Sequence, residues 1–199
     1  MAVGGNFVGT YFYNFYRIGP NGQEVYKENK HKSDQMAGPV LFHDKYLFGS
    51  YTTNMKAEVH NGELVLVDPA NKDFDKAWVE DVAGDKTPVG NLYVDGDTIY
   101  TASNFTVAAV DGTTGKKIWD YQQISSFHYG PGVLSTGGGL VFAGEHKGQV
   151  SALDARTGKS LWHFNTGDLI TSSPISYAVD GQQYIAISSG TNIFAFALP

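Results

Sequence analysis

The sequence AVDGTTGKKIW at residues 109–119 returns as ALDARTGKSLW at residues 152–162. Both copies carry an Asp, a Thr-Gly pair and a Trp, and Asp111 and Asp154 lie 43 positions apart. The Gly and Trp positions repeat at the same spacing, which is typical of an internal repeat. A period between about 20 and 50 residues predicts a repeat architecture.

Two weaker copies precede these. The stretch LVDPANKDFDKAW at residues 66–78 keeps the Asp and the Trp, with two residues inserted before the Trp. The stretch YRIGPNGQEVY at residues 16–26 keeps Asn-Gly in the turn and puts Tyr26 at the Trp position. In that copy Ile18 stands where the Asp is expected.

Each repeat contains four short segments rich in β-branched or aromatic residues. In the unit that ends at Trp162 these segments are GVLSTGG, GLVFAGEH, GQVSALD and SLWHFNTG, separated by Gly, Asp or Thr-Gly. No stretch keeps a helical apolar period over ten residues. The sequence therefore predicts an all-β fold, a β-propeller of four-stranded antiparallel blades.

The motif has a mechanical interpretation. Its Asp accepts backbone N–H bonds in the turn between the third and fourth strands, and its Gly supplies a left-handed conformation. Its Trp packs on the neighbouring blade and buries about 150–250 Å², and the rival interpretation is a platform for stacking a cofactor. The structural motif residues are Asp68, Trp78, Asp111, Gly115, Trp119, Asp154, Gly158 and Trp162.

The blades are expected within a single domain, residues 1–199. Three complete units are predicted at 39–80, 87–122 and 127–166, with a partial blade at 4–28 and another at 172–198. The total is about four to five blades, or part of an eight-bladed ring. The terminal strands share one blade, or the open edges pair with another chain or copy, or the chain is a segment of a longer protein.

Composition excludes several classes of function. The net charge of −6 argues against a basic nucleic-acid-binding face, and the absence of Cys excludes disulfides, thiolate metal sites and Cys nucleophiles. No apolar run is long enough for a spanning helix, and the N-terminal residues do not resemble a signal peptide.

The two strong motifs resemble the tryptophan-docking motifs of the pyrroloquinoline quinone (PQQ)-dependent, or quinoprotein, alcohol dehydrogenases. The resemblance is closest over residues 131–199, which are similar to the C-terminal blades of those enzymes. It implies an eight-bladed propeller that holds PQQ with Ca²⁺ or a lanthanide, a cytochrome as electron acceptor, and a periplasmic or extracellular location.

The same resemblance implies candidate site residues. The connector SYTTNMKAEVHNG matches a loop that supplies metal ligands in the family, and it offers Glu58 and Asn61. A Trp that faces the quinone in many relatives is replaced by Gly130. Tyr129 or His128 could supply a ring nearby, and the alternative interpretation is a plain loop. No stretch matches the family's catalytic Asp. Apart from the resemblance, the pair Glu145–His146 closes a second strand and could face the top of the propeller, but the favoured interpretation is a solvated turn.

Two hypotheses follow for function. In the first, the chain retains the fold motifs without a recognisable catalytic Asp and serves as a scaffold, subunit or incomplete catalytic module. In the alternative, it is a working PQQ- and metal-dependent alcohol oxidoreductase, alone or with a partner segment. A less favoured third class binds carbohydrate or peptide through Tyr11, Tyr13 and Tyr16.

Overall fold

The structure is a computed structural model, and it describes most of the chain. The described residues are 2–3, 6–11, 14–18, 24–28, 35–54, 57–67, 76–85, 92–102, 106–124 and 131–197. They form strands and turns without a helix, which confirms the all-β prediction. Within these ranges there is accordingly no helix with the length and apolarity needed to cross a membrane.

The chain divides into two compact units, Met1–Val89 and Gly90–Pro199. The first unit contains two four-stranded antiparallel sheets, each in sequential strand order. The strands of one sheet are β1 (Ala2–Val3), β2 (Asn6–Tyr11), β3 (Asn14–Ile18) and β4 (Glu24–Glu28). The strands of the other are β5 (Gln35–Phe42), β6 (Lys45–Asn54), β7 (Ala57–Val67) and β8 (Lys76–Asp85).

The second unit contains three antiparallel sheets, also in sequential order. One sheet is built from β9 (Leu92–Asp95), β10 (Thr98–Ala102), β11 (Thr106–Asp111) and β12 (Lys117–Gln122). The next is built from β13 (Val133–Ser135), β14 (Leu140–Gly144), β15 (Gln149–Asp154) and β16 (Ser160–Asn165). The last has three strands, β17 (Ile175–Val179), β18 (Gln182–Ser189) and β19 (Asn192–Ala197).

A register shift recurs in every four-stranded sheet, between its third and fourth strands. In the last two of these sheets it falls just before the motif Asp, at Ala109/Val110 and Ala152/Leu153. A bulge of this kind increases local twist and re-aims the chain as it enters the turn.

Strand pairing corrects the alignment of the weakest repeat. Tyr26 lies opposite Arg17, just as Trp119 lies opposite Ala109, so Tyr26 does occupy the Trp position. Counted from these pairs, Gly19 takes the Asp position, and the assignment of Ile18 to it was wrong. The span from Arg17 to Tyr26 is one residue shorter than the matching spans that end at Trp119 and Trp162, and the sequence alone does not reveal a difference of that size. The sheet also includes β1, which is too short to show any alternation in sequence.

The core of the second unit lies between successive sheets. Strands β10, β11, β14 and β15 are almost wholly buried because mainly apolar or small side chains occupy both of their faces. One cluster joins the β9–β12 and β13–β16 sheets; its buried members are Tyr100, Ala102, Val107, Ala109, Trp119, Val133, Val141, Ala143 and Leu153. A second, smaller cluster of Val150, Ile170 and Ile187 packs against Phe194 and Phe196 of β19.

Candidate functional site

Two motif turns in the second unit share one hydrogen-bond pattern. In the first, Asp111 Oδ1 accepts the N–H groups of Thr113 at 2.9 Å and Thr114 at 2.8 Å. The Gly115 N–H donates to the Asp111 carbonyl at 2.8 Å, with Gly115 at φ 74°. An L-residue rarely adopts this conformation, which is why the position carries Gly.

The second turn repeats this arrangement. Asp154 Oδ1 accepts the N–H groups of Arg156 at 3.0 Å and Thr157 at 2.9 Å, and also the Thr157 hydroxyl at 2.9 Å. The Gly158 N–H donates to the Asp154 carbonyl at 2.9 Å, with Gly158 at φ 69°. The pKa of Asp154 lies below its ordinary value, mainly because the carboxylate accepts a hydrogen bond from the Thr157 hydroxyl. In the first turn the backbone N–H of Thr114 is the main cause that lowers the pKa of Asp111.

The indole of Trp119 packs on the second of these turns. Its Nε1 donates to the Ala155 carbonyl at 2.9 Å, and the side chain is 7% exposed. A Cβ added at Gly158 would lie 2.6 Å from Cε3 of the ring. Trp119 thus joins the β9–β12 sheet to the β13–β16 sheet through a hydrogen bond and a contact that only Gly allows.

Tyr100 reinforces the same contact from β10. Its hydroxyl donates to the Ala155 carbonyl at 3.3 Å, and its ring centroid lies 6.0 Å from that of Trp119. Burial is the main cause that raises the pKa of Tyr100, and the carboxylates of Asp95 and Asp154 raise it further. The phenol therefore stays protonated and able to donate at neutral pH.

Trp162 has different surroundings. It is 39% exposed, and its ring meets Phe164 with centroids 6.3 Å apart and Phe196 with centroids 5.1 Å apart. Its Nε1 donates to no residue in the described ranges. The three-stranded sheet beyond it has no described counterpart of the turn that covers Trp119. Packing on the neighbouring blade was predicted for this Trp, and its ring does contact Phe196 of the next sheet, but it is more exposed than Trp119.

The third motif Trp lies where only its backbone is described. Trp78 pairs with Leu66 across β7 and β8, which is the same position that Trp119 and Trp162 take in their sheets. Asp68 lies outside the described residues. The docking role of both residues stays a prediction.

The structure describes the backbone of the two metal candidates and neither of the two cofactor candidates. Glu58 and Asn61 lie in strand β7, where Asn61 pairs with Thr52 and Asp85, so their placement in a connector loop was wrong. The strand is eleven residues long and continues through the polar stretch that suggested a loop. Tyr129 and Gly130 lie outside the described residues.

Glu145 is a buried carboxyl that the sequence did not reveal. It is 1% exposed, so its interpretation as part of a solvated turn was wrong. Oε2 accepts the Ile124 N–H at 3.0 Å, and Oε1 accepts from Gln149 Nε2 at 3.2 Å. Burial is the main cause that raises the pKa of Glu145, and the Ile124 N–H partly opposes it. The contact with Ile124 crosses 21 residues of chain, and nothing in the local sequence predicts it.

A divalent or trivalent cation needs several converging oxygen ligands. Nowhere in the described ranges do three or more His, Cys, Asp or Glu side chains gather closely enough to hold such an ion. The carboxylates of Asp111, Asp154 and Glu145 are each occupied by hydrogen bonds from their own turn or a neighbouring loop. The described part of the chain therefore does not by itself fit the metal that accompanies PQQ.

Comparison with known proteins agrees with this motif geometry. A family profile described as "Outer membrane protein assembly factor BamB", of the PQQ_2 family of repeats, matches residues 19–198. The chain belongs to the PQQ_2 family. The resemblance to the PQQ-dependent alcohol dehydrogenases is also confirmed, because relatives with that name share its sequence.

One such relative is the quinoprotein alcohol dehydrogenase PedE of Pseudomonas putida. It is 38% identical to this PQQ_2 chain over 167 residues, which are 82% of the chain and 24% of the relative. The chain thus spans about a quarter of the length of the curated relative that it matches.

Two solved structures share the fold. BamB from Moraxella catarrhalis superposes with a TM-score of 0.72 at 17% identity, over 98% of this chain and 59% of that one. The quinohemoprotein alcohol dehydrogenase from Comamonas testosteroni gives 0.62 at 14% identity, over 92% and 39%. At these identities the likeness concerns the fold alone, and it confirms the prediction of a β-propeller built from four-stranded antiparallel blades.

Proposed function

We propose that this PQQ_2 chain is a structural sector of a quinoprotein-type propeller, which supplies blades and docking surfaces and does not itself hold the redox cofactor. The observation that carries the proposal is that the described acidic side chains of the motif turns and of Glu145 accept hydrogen bonds that hold the fold. Asp111 and Asp154 hold turns by accepting two or more hydrogen bonds each, and Glu145 ties β14 to the segment at Ile124.

The sequence supports the same role. The residues that build blades recur in register along the chain, whereas the residues that carry chemistry in the related dehydrogenases do not. Gly130 stands where many relatives have a Trp against the quinone, and no stretch matches the catalytic Asp. A scaffold role needs only the residues that build the blades. Fold and function are separable in such repeats, since chemistry depends on the site and not on the blade.

A direct test is to offer the cofactor. The full chain is incubated with PQQ and either Ca²⁺ or La³⁺, desalted, and examined for quinone absorbance and for alcohol-dependent dye reduction. We expect no retained quinone beyond that of a heat-unfolded sample, and no turnover, from protein whose circular dichroism shows an all-β fold. Stoichiometric quinone or turnover with ethanol would overturn the scaffold role.

The second candidate is a PQQ- and metal-dependent alcohol oxidoreductase module, alone or with a partner segment. It is favoured by the 38% identity with PedE over 82% of this chain. In this case Glu58 and Asn61 bind Ca²⁺ or a lanthanide, Tyr129 and Gly130 line the quinone pocket, a cytochrome accepts the electrons, and the protein works in the periplasm or outside the cell. Glu58→Gln and Asn61→Ala would then each abolish metal-dependent retention of PQQ.

A further inference from the structure

Three polar side chains meet at the hairpin turn between β14 and β15. Glu145 and Gln149 close this turn, since the Glu145 N–H donates to the Gln149 carbonyl at 2.7 Å. Ser151 follows two residues later, on the same face of β15 as Gln149. Glu145 and Ser151 are 1% and 0% exposed, so their hydrogen bonds have to be made within the protein.

This arrangement is not part of the repeated motif. Thr106 and Ala108 stand one period earlier, in place of Gln149 and Ser151. Building a blade therefore does not require these polar side chains, and their presence in one repeat needs another explanation.

The Gln149 amide donates to both of its neighbours in the structure. Its Nε2 lies 3.2 Å from Glu145 Oε1 and 3.1 Å from Ser151 Oγ. In this orientation Ser151 only accepts, and its own O–H meets no acceptor among the described residues. A buried donor without an acceptor destabilises the state that contains it.

The opposite orientation of the amide satisfies Ser151 but changes what Glu145 must do. Turning the amide over exchanges an oxygen and an NH₂ group of nearly the same shape. Gln149 Oε1 then accepts the Ser151 O–H and also faces Glu145 Oε1. Two oxygens at hydrogen-bond distance repel each other unless one of them carries a proton, and a protonated carboxyl is a donor. All three side chains are therefore satisfied together only when Glu145 is protonated.

We propose that Glu145, Gln149 and Ser151 form a proton switch. With a proton on Oε1, Glu145 donates to Gln149 Oε1, which also accepts the Ser151 O–H. When this proton passes to water, the Gln149 amide turns over and its Nε2 donates to the carboxylate, as in the structure. Gln149 is only partly buried, so water can reach the other end of its amide. The switch goes beyond the proposed scaffold role and does not depend on it.

The switch lies where the segment that leaves β12 reaches the β13–β16 sheet. Glu145 Oε2 accepts the Ile124 N–H at 3.0 Å, and Gln123 Nε2 donates to the Gly144 carbonyl at 3.2 Å. The ionised state combines a buried charge on neutral donors with an unsatisfied Ser151 O–H, so the attachment of this segment is less stable in that state. Proton uptake therefore stabilises the junction between the two sheets.

Neighbouring charges do not take the place of the proton among the described residues. Burial raises the pKa of Glu145 and the Ile124 N–H partly opposes it, and no charged side chain is among the causes. Several titratable side chains lie on the elements packed around the carboxyl. They are Tyr100 and Tyr121 of the preceding sheet, His163 opposite Ser151 on β16, His146 and Lys147 of the turn, and Asp168 beside Gly148.

NMR on the intact chain tests the switch. The carboxyl ¹³C shift of Glu145 reports its ionisation, and the nuclear Overhauser effect between the Gln149 NH₂ protons and the Ser151 β-protons reports the orientation of the amide. We expect a strong Overhauser effect when Glu145 is ionised and a weak one when it is protonated, with one midpoint for both signals. An Overhauser effect that stays constant while the carboxyl titrates would reject the switch. A carboxyl that takes up no proton while the protein is folded would reject it as well.

Glu145→Gln fixes one state without a titration. Its amide has to turn the oxygen toward the Ile124 N–H, so its NH₂ group meets Gln149 and forces that amide to accept. The Overhauser effect should then be weak at every pH. Hydrogen exchange of the Ile124 amide should be slower than in the wild type above the midpoint, and equal below it. A strong Overhauser effect in this variant would contradict the proposed orientation.

Ser151→Ala tests the role of the hydroxyl. Without the Ser151 O–H nothing favours the accepting orientation of Gln149, so the pKa of Glu145 should fall. Ser135→Ala is the matched control, because Ser135 is also buried in the same sheet but donates to Asp95, and it should leave this pKa unchanged. His163→Gln should also leave it unchanged, which excludes a histidine as the titrating group. An unchanged or higher pKa of Glu145 in Ser151→Ala would overturn the inference.

Discussion

Trp119 and Gly158 are in such close contact that a Cβ at Gly158 would lie 2.6 Å from Cε3 and 2.7 Å from Cδ2 of the indole. The two residues belong to consecutive repeats and lie at different positions of the same motif. One repeat thus supplies the ring and the next supplies the space for it. The 43-residue spacing in the sequence thus places the Gly of one repeat against the Trp of the repeat before it.

The first prediction concerns that space. Gly158→Ala should lower the free energy of unfolding by about 2–4 kcal/mol, because it combines a positive φ with a clash against Trp119. The measurement is urea unfolding followed by circular dichroism. Gly139→Ala is the matched control, since Gly139 has φ 77° and nothing within 4 Å of an added Cβ. It should lose only about 1 kcal/mol, and equal losses would mean that the ring contact contributes nothing.

The second prediction concerns the Asp154 turn. The Thr157 hydroxyl is the first cause of the lowered pKa of Asp154, so Thr157→Val should raise this pKa toward its ordinary value, while Thr157→Ser should leave it low. The pKa is read from the carboxyl ¹³C shift of Asp154 during an NMR titration. An unchanged pKa in the Val variant would mean that the backbone N–H groups alone hold the carboxylate.

The lowered pKa of Asp154 also determines how the free energy of unfolding changes with pH. The folded carboxyl titrates below its unfolded value of about 3.9. Its contribution is therefore present above that pH and is lost as the pH falls through the folded pKa. Asp154→Asn should remove this loss of stability at low pH. Asp180→Asn is the control, because Asp180 occupies an exposed turn at φ 51° that Asn tolerates, and it should leave the dependence unchanged.

The parts of the fold that could be predicted are those with local causes. The turns at Asp111 and Asp154 depend on a side chain that bonds N–H groups two and three residues ahead, so a short motif is enough to identify them. The alternation from strand to turn follows in the same way. In the N-terminal copy the turn is one residue shorter, and the motif alone therefore misplaced the Asp position by one residue, from Gly19 to Ile18.

The parts that could not be predicted depend on contacts distant in sequence. Glu145 stands in the polar stretch GEHKG, which resembles a solvated turn, but it is buried and its carboxylate accepts the N–H of Ile124, which is 21 residues away in sequence. Glu58 was assigned to a loop for a similar reason. Its strand continues through polar residues because β6 pairs with it along the whole hairpin.

The third prediction concerns Glu145. Burial raises its folded pKa above the unfolded value of about 4.3, so the folded state is penalised as the pH rises through the folded pKa and gains stability as the pH falls back toward 4.3. Glu145→Gln should flatten this part of the stability profile, because the amide can still accept the Ile124 N–H without a buried charge. Urea unfolding at several pH values measures the slope.

Glu145→Ala separates charge from hydrogen bonding. It leaves the Ile124 N–H without its acceptor and removes one of the two acceptors of the Gln149 amide, which also donates to Ser151 Oγ. The free energy of unfolding should fall by about 1–3 kcal/mol at neutral pH. If Glu145→Gln and Glu145→Ala lower the free energy of unfolding equally, the hydrogen bonds to the carboxylate do not stabilise this part of the fold.

The last prediction concerns the contact beside Glu145. A Cβ at Gly144 would lie 2.7 Å from Ile170 Cγ2 and 2.9 Å from Ile187 Cδ1. Because both isoleucines are buried and cannot move aside, Gly144→Ala should lower the free energy of unfolding by about 1–3 kcal/mol. Adding Ile187→Val removes Cδ1 and should recover part of that loss. Gly137→Ala, where an added Cβ meets nothing within 4 Å, should change stability little. No recovery in the double variant would mean that the clash with Ile170 alone limits this position.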